Sequence, residues 1–130
     1  MARAYTIATA ALTLGMPIKW LDNTLSHIKV VGVHQERQGV ARRLTIDGLL
    51  VLAIATMLIN DLGLPLASAV RIAGELASSG GQYTSSAGLT LQLTLENVKA
   101  DLIKRLENAV EIAPIPRRGR PPKTKTGRLD

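Results

Sequence analysis

The side chains best equipped for chemistry in this 130-residue sequence are its 16 Lys and Arg, set against 10 Asp and Glu for a net charge of +6. Groups for covalent or metal chemistry are sparse. There is no Cys, so no thiolate nucleophile, disulfide or Cys-ligated zinc or iron–sulfur site can form. The two His, His27 and His34, supply too few nitrogens for a metal centre, and no acidic cluster supplements them. Asp, Glu, His and Ser converge on no nucleophile–base pattern, and Gly80-Gly81 and Ser85-Ser86 lack the strand–helix context of a phosphate loop. These residues point away from an enzyme, with no cofactor and no metal expected, and toward recognition of a polyanion by cations.

The cations are unevenly placed. Residues 117–130 hold six basic side chains against Asp130 alone, and residues 1–45 hold six against two acids. Residues 46–116 invert this, with four basic and seven acidic groups. A basic head, an acidic middle and a basic tail suggest a polyanionic partner at two places with a packing or association region between them.

The elements that must position these groups are mostly helical, and their core must be aliphatic. Tyr5, Trp20 and Tyr83 are the whole aromatic complement and there is no Phe, although 46% of the residues are hydrophobic. Thr6 can cap a short helix to about residue 14, with Ile7, Ala10, Ala11 and Leu14 at helical spacing and Gly15 to stop it. Pro17 suits the first turn of a second helix over 17–28, whose Ile18, Leu21, Leu25 and Ile28 form a core stripe opposite Lys19, Asp22, Asn23, Ser26 and His27. Two short helices with a tight Gly turn make a helix-turn-helix. Residues 30–33 and 40–44 read as two strands around a polar tip at 34–39, a ribbon-like wing bearing Arg37, Arg42 and Arg43. Thr45 then caps a longer helix over 46–62 that is apolar nearly all round and closed by Gly63, and a further helix runs from Pro65 to about Ala77. The uncharged stretch 48–60 is too short to span a membrane. Residues 3–16 have a faint signal-peptide character that the helix reading uses better, so a cytoplasmic, nucleoid-associated location is expected.

This order resembles the N-terminal DNA-binding domain of MerR-type regulators over roughly residues 4–77. The resemblance rests on Tyr5-Thr6-Ile7 before the first helix, Gly15-Met16-Pro17 at the turn, Arg42-Arg43-Leu44-Thr45 leaving the wing, and the Leu62-Gly63-Leu64 corner. It implies a winged helix-turn-helix whose second helix enters the major groove while wing arginines hold phosphates. By position, Lys19 stands where the family has a basic residue and Arg43 matches the wing Arg. Asp22 departs from the pattern by standing where the family has Arg, and Asn23-Thr24 replace a Tyr pair. Trp20 either packs against the long helix, the reading favoured here, or stacks on the sugar-phosphate backbone. Lys19, Asn23 and His27 are then the candidates to approach bases or backbone, and Arg37, Arg42 and Arg43 those to hold phosphates.

In the tail, Pro116-Arg117-Arg118-Gly119-Arg120-Pro121-Pro122-Lys123 resembles an AT-hook, whose core is Arg-Gly-Arg-Pro. Gly119 lets the backbone sink into a narrow groove, Arg118 and Arg120 lie along its floor, and Pro121 keeps the chain extended so that Lys123 follows the phosphates. A·T tracts concentrate negative potential in such a groove. A generic basic tail would still bind DNA nonspecifically through counterion release. Residues 113–130 carry too little apolar surface to fold and are expected to be disordered.

Residues 78–88 read as a Ser/Gly loop, and Leu89-Thr90-Leu91-Gln92-Leu93-Thr94-Leu95 alternates as a strand. With no local partner in view, its edge is expected to pair with the same strand of a second chain, making Leu89, Leu91, Leu93 and Leu95 a homodimer contact; the alternative is that it adds to the wing sheet of its own chain, which would leave a monomer. A helix over 96–110 follows, with Val98, Leu102, Ile103, Leu106 and Val110 on one face. The expected fold is mainly α with small β elements: a winged helix-turn-helix (1–78), a strand–helix dimerisation element (79–112) and a basic tail (113–130). The expected function is double-stranded DNA binding, A·T-rich where the tail engages it, by a bacterial or phage transcriptional regulator, with an architectural, DNA-coating role as a variant. A different class of reading, an antitoxin-like or assembly adaptor, would dock the 89–95 strand on a protein partner.

Overall fold

The computed structural model describes residues 4–35 and 42–112. It is mainly helical with small antiparallel sheets. The first helix, α1 (Ile7–Leu14), begins where Thr6 Oγ1 accepts the Thr9 N–H at 3.2 Å. It ends at Gly15, whose φ of 69° lets Gly15 and Met16 donate back to the Leu12 and Ala11 carbonyls. In α2 (Ile18–His27), Pro17 occupies the N-cap rather than the first turn. The buried arc of α2 is Leu21, Thr24 and Leu25, with Ile28 half-buried, whereas Ile18 is 55% exposed. Ile18 sits in the first turn at the rim of that arc, and Thr24 takes the central position. Its hydroxyl donates to the Trp20 carbonyl at 2.8 Å, so a polar side chain is buried without an unmet hydrogen bond.

Three strands form one sheet. β1 (Ala4–Thr6), β2 (Val33–His34) and β3 (Arg43–Thr45) lie in the order β1-β3-β2, all antiparallel. The leading strand β1 has no signal in the sequence, and the first wing run, expected over 30–33, is strand only from Val33, continuing to His34. Residues 30–32 make a turn instead. Gly32, at φ 90°, presses against the backbone of Gly48, and its carbonyl accepts the Thr45 N–H at 2.8 Å. A side chain at Gly32 would collide there. Thr45 then caps α3 (Ile46–Leu62), buried along Gly48–Ala55 and closed by Gly63 at φ 69°.

The next helix, α4 (Leu66–Ser78), packs on α3 and makes its most extensive contact. The Ser/Gly stretch after it contains a strand, β4 (Gln82–Thr84), which pairs with β5 (Thr90–Gln92) in a hairpin. This corrects the expectation that 89–95 is a seven-residue strand lacking a local partner. The Leu93 N–H turns to the Gly81 carbonyl, and the Thr94 carbonyl accepts Asn97 and Val98 N–H groups, so the chain is already helical by Leu95. Leu91, Leu93 and Leu95 pack on the chain's own core, leaving Leu89 at 59% exposure. The premise for a homodimer contact through Leu89, Leu91, Leu93 and Leu95 is thereby removed.

The last helix, α5 (Leu95–Ile112), packs on α1 and α3. Its inward stripe is Leu102, Leu106 and Ala109 with Val98 half-buried, while Ile103 and Val110, expected on that face, are exposed. Arg105 reinforces the docking: Nη1 donates to the Thr13 carbonyl at 3.3 Å, near the C-terminal end of α1, and Nε lies 3.0 Å from Asp101. One apolar cluster runs from Ala10 through α2, α3 and α4 to Leu102 and Leu106, so the packing is continuous across the expected boundary at 78/79. Among the described residues no helix is long and apolar enough to cross a membrane.

Candidate nucleic-acid interface

The residues expected to meet a polyanion sit on α2 and β3. Because Leu21, Thr24 and Leu25 point inward, the opposite face of α2 presents Lys19, Asn23 and His27, all exposed and four residues apart. Lys19 and Asn23 make no side-chain hydrogen bond among the described residues. His27 is oriented by its own helix, with Nδ1 2.8 Å from the Asn23 carbonyl. A carbonyl only accepts, so Nδ1 carries the proton and Nε2 is the atom left for an outside partner. Ser26 back-bonds to the Asp22 carbonyl at 2.8 Å in the same way.

β3 is the centre of its sheet, and Leu44 fixes its facing. Leu44 is fully buried between Tyr5 and Val33, so Arg43 faces outward with Thr6 on one side and His34 on the other. Arg43 and His34 are both exposed and form a row across the sheet. Arg43, expected to hold phosphates, is thus exposed on the outward face of the sheet. His34 was missed, because its place beside Arg43 depends on the β2–β3 register and not on any local motif.

Arg42, also expected to hold phosphate, has a carboxylate beside it. Its Nη1 lies 3.4 Å from Asp22 Oδ1, and its side chain is only 24% exposed against 60% for Asp22. The guanidinium is drawn to the nearest carboxylate on α2, so it neutralises the acidic residue of that face instead of standing free for phosphate. Trp20 is half-buried and packs against the apolar core, in line with the packing role expected for it.

Arg37 and the tail candidates Arg117, Arg118, Gly119, Arg120 and Lys123 lie outside the described residues. Among the described residues no group of three or more His, Asp or Glu side chains could hold a metal ion. Chemically, the arrangement offers hydrogen-bonding side chains on the exposed face of α2 and, on the outward face of the sheet, the Arg43 guanidinium beside the His34 imidazole. Compared with known proteins, the chain matches no family model, no curated protein and no solved structure.

Proposed function

We propose that this chain is a DNA-binding protein, a transcriptional regulator of bacterial or phage type that reads double-stranded DNA through a winged helix-turn-helix. In this reading α2 lies in the major groove with Lys19, Asn23 and His27 toward bases or backbone. Arg43, joined by Arg37, holds phosphates. The Arg118-Gly119-Arg120 segment enters the minor groove of an A·T-rich tract, and two copies act together on one site.

The observation that carries the reading is the exposed arc of α2, where Lys19, Asn23 and His27 stand clear of the core and the one acid of that helix, Asp22, lies 3.4 Å from Arg42. The sheet adds Arg43 and His34, exposed side by side on its outward face. Base readout needs hydrogen-bonding side chains on a narrow protruding element, and register on the duplex needs cations beside it. The basic balance of residues 1–45 supports the same surface.

Fluorescence anisotropy tests it, comparing the full chain with a truncation ending at Pro114 on mixed-sequence and A·T-rich duplexes over a salt series. The reading expects the truncated chain to retain binding, with a weaker A·T preference. Loss of all binding on truncation would assign the affinity to the tail alone and remove α2 and Arg43 from the interface.

A further inference from the structure

The face formed by α3, α4, α5 and the turn at 30–32 is hollow, and its chemistry is unlike that of the α2 surface. A cleft of about 530 Å³ has Leu50, Val51 and Ala77 in its lining and opens beside Gly74, where a Cβ would meet nothing within 4 Å. It merges with two smaller recesses. One of about 340 Å³ shares Val31, Val51, Arg71 and Gly74 with it, and one of about 160 Å³ shares Asp47, Leu50 and Lys99. Ile46 and Ile103, both exposed, border the second.

Two features of this face fit one another. Val31 is 79% exposed, the most exposed large apolar side chain among the described residues, and stands beside the cleft. It is not on a loose loop: the Gly32 backbone presses on Gly48, the Thr45 N–H bonds the Gly32 carbonyl, and the Val33 N–H reaches the Val30 carbonyl at 3.3 Å. A knob held outward by backbone contacts loses little freedom when buried. The rim carries two cations, Arg71 and Lys99, and two carboxylates, Asp47 and Glu75. Asp47 and Lys99 form no ion pair among the described residues, and Arg71–Glu75, at 3.8 Å and largely exposed, is weak.

We infer that this face pairs with the same face of a second copy of the chain, Val31 of each entering the apolar recess of the other while the rim cations meet the partner's carboxylates. A two-fold interface must be self-complementary, and a surface bearing a knob beside its recess and charges of both signs on the cleft rim, with Lys29 as a further cation at the adjoining recess, meets that demand. The occupant is not nucleic acid, since Asp47 and Glu75 would face its phosphates. A ligand of one charge sign is opposed by half of the rim. The pairing rests on the DNA-binding reading only for its purpose, which is to bring two α2 helices to one duplex.

Sedimentation velocity of the full chain without DNA tests it, using Arg71→Glu with Lys99→Glu as one variant and Asp47→Lys with Glu75→Lys as another. The wild-type chain should sediment as a dimer, each variant alone as a monomer because its rim repels its own copy, and an equimolar mixture of the two again as a dimer. A monomeric wild type, a variant that dimerises alone, or a mixture of folded variants that stays monomeric overturns the pairing. Should circular dichroism show either charge variant unfolded, Val31→Ser decides, since so exposed a side chain contributes little to the fold. It should raise the dimer Kd at least about tenfold, and an unchanged Kd overturns the inference. A dimer that binds no DNA would refute only the DNA-binding reading, and a monomer that binds DNA only the pairing.

Discussion

Arg42 and Asp22, twenty residues apart, meet with Nη1 and Oδ1 at 3.4 Å, the carboxylate on α2 and the guanidinium on the residue that enters β3. The pair decides the sign of the surface between helix and sheet. A lone Asp22 would repel phosphate, whereas with Arg42 beside it the patch is neutral and the cations at Lys19 and Arg43 set the field.

Replacing Asp22 with Asn should therefore tighten DNA binding. The substitution removes the carboxylate and frees Arg42, so the salt dependence should steepen by about one in log–log slope. Stability should change by less than about 1 kcal/mol, because Asp22 is largely solvated. Anisotropy titrations over a salt series and a urea melt measure the two effects, and an unchanged slope would leave Arg42 without a phosphate to reach.

Arg43→Ala should act in the opposite direction and without sequence preference. Its neighbours across the sheet are Thr6 and His34, neither of which supplies a permanent charge. Binding to mixed and A·T-rich duplexes should weaken by the same factor, with the salt slope shallower by about one. A loss confined to one sequence would make Arg43 a base reader.

How much of this surface could be seen in the sequence follows from how local each determinant is. Thr6, Gly15, Thr45 and Gly63 set helix ends through bonds spanning a few residues, and all four act as their types predict. The exposed face of α2 follows from the periodicity of Leu21 and Leu25. The three-residue strands β1 and β4 have no periodicity to display and exist only because β3 and β5 bond to them. Leu93 fits the alternation of a longer strand, yet its N–H belongs to Gly81. The Arg43–His34 row needs the β2–β3 register, and the Asp22–Arg42 contact needs residues twenty apart brought together, and no short pattern encodes either.

The tail should contribute preference more than bulk affinity. Changing Arg118 and Arg120 together to Ala should reduce the ratio of A·T-rich to mixed-sequence binding toward one, since a flattened guanidinium in a narrow groove is what distinguishes the tracts. Lys123→Ala should weaken both duplexes alike, as loss of a phosphate contact does. Competition titrations with the two duplexes measure the ratio, and an unaltered ratio in the double variant would reduce the segment to a generic basic tail.

Two glycines with positive φ should respond very differently to alanine. Gly15, at φ 69°, has nothing within 4 Å of where a Cβ would stand, so Gly15→Ala carries only the left-handed backbone penalty of about 1–2 kcal/mol. Gly32, at φ 90°, would drive its Cβ into the backbone of Gly48 and the Thr45 hydroxyl, which cap α3. Neither can yield without opening the start of the most buried helix, so Gly32→Ala should cost more, on the order of 3 kcal/mol or beyond. Urea unfolding of both variants measures the difference. Equal costs would mean that the 30–32 turn gives way independently of α3, and Val31 would then lack the rigid seat on which its exposed position depends.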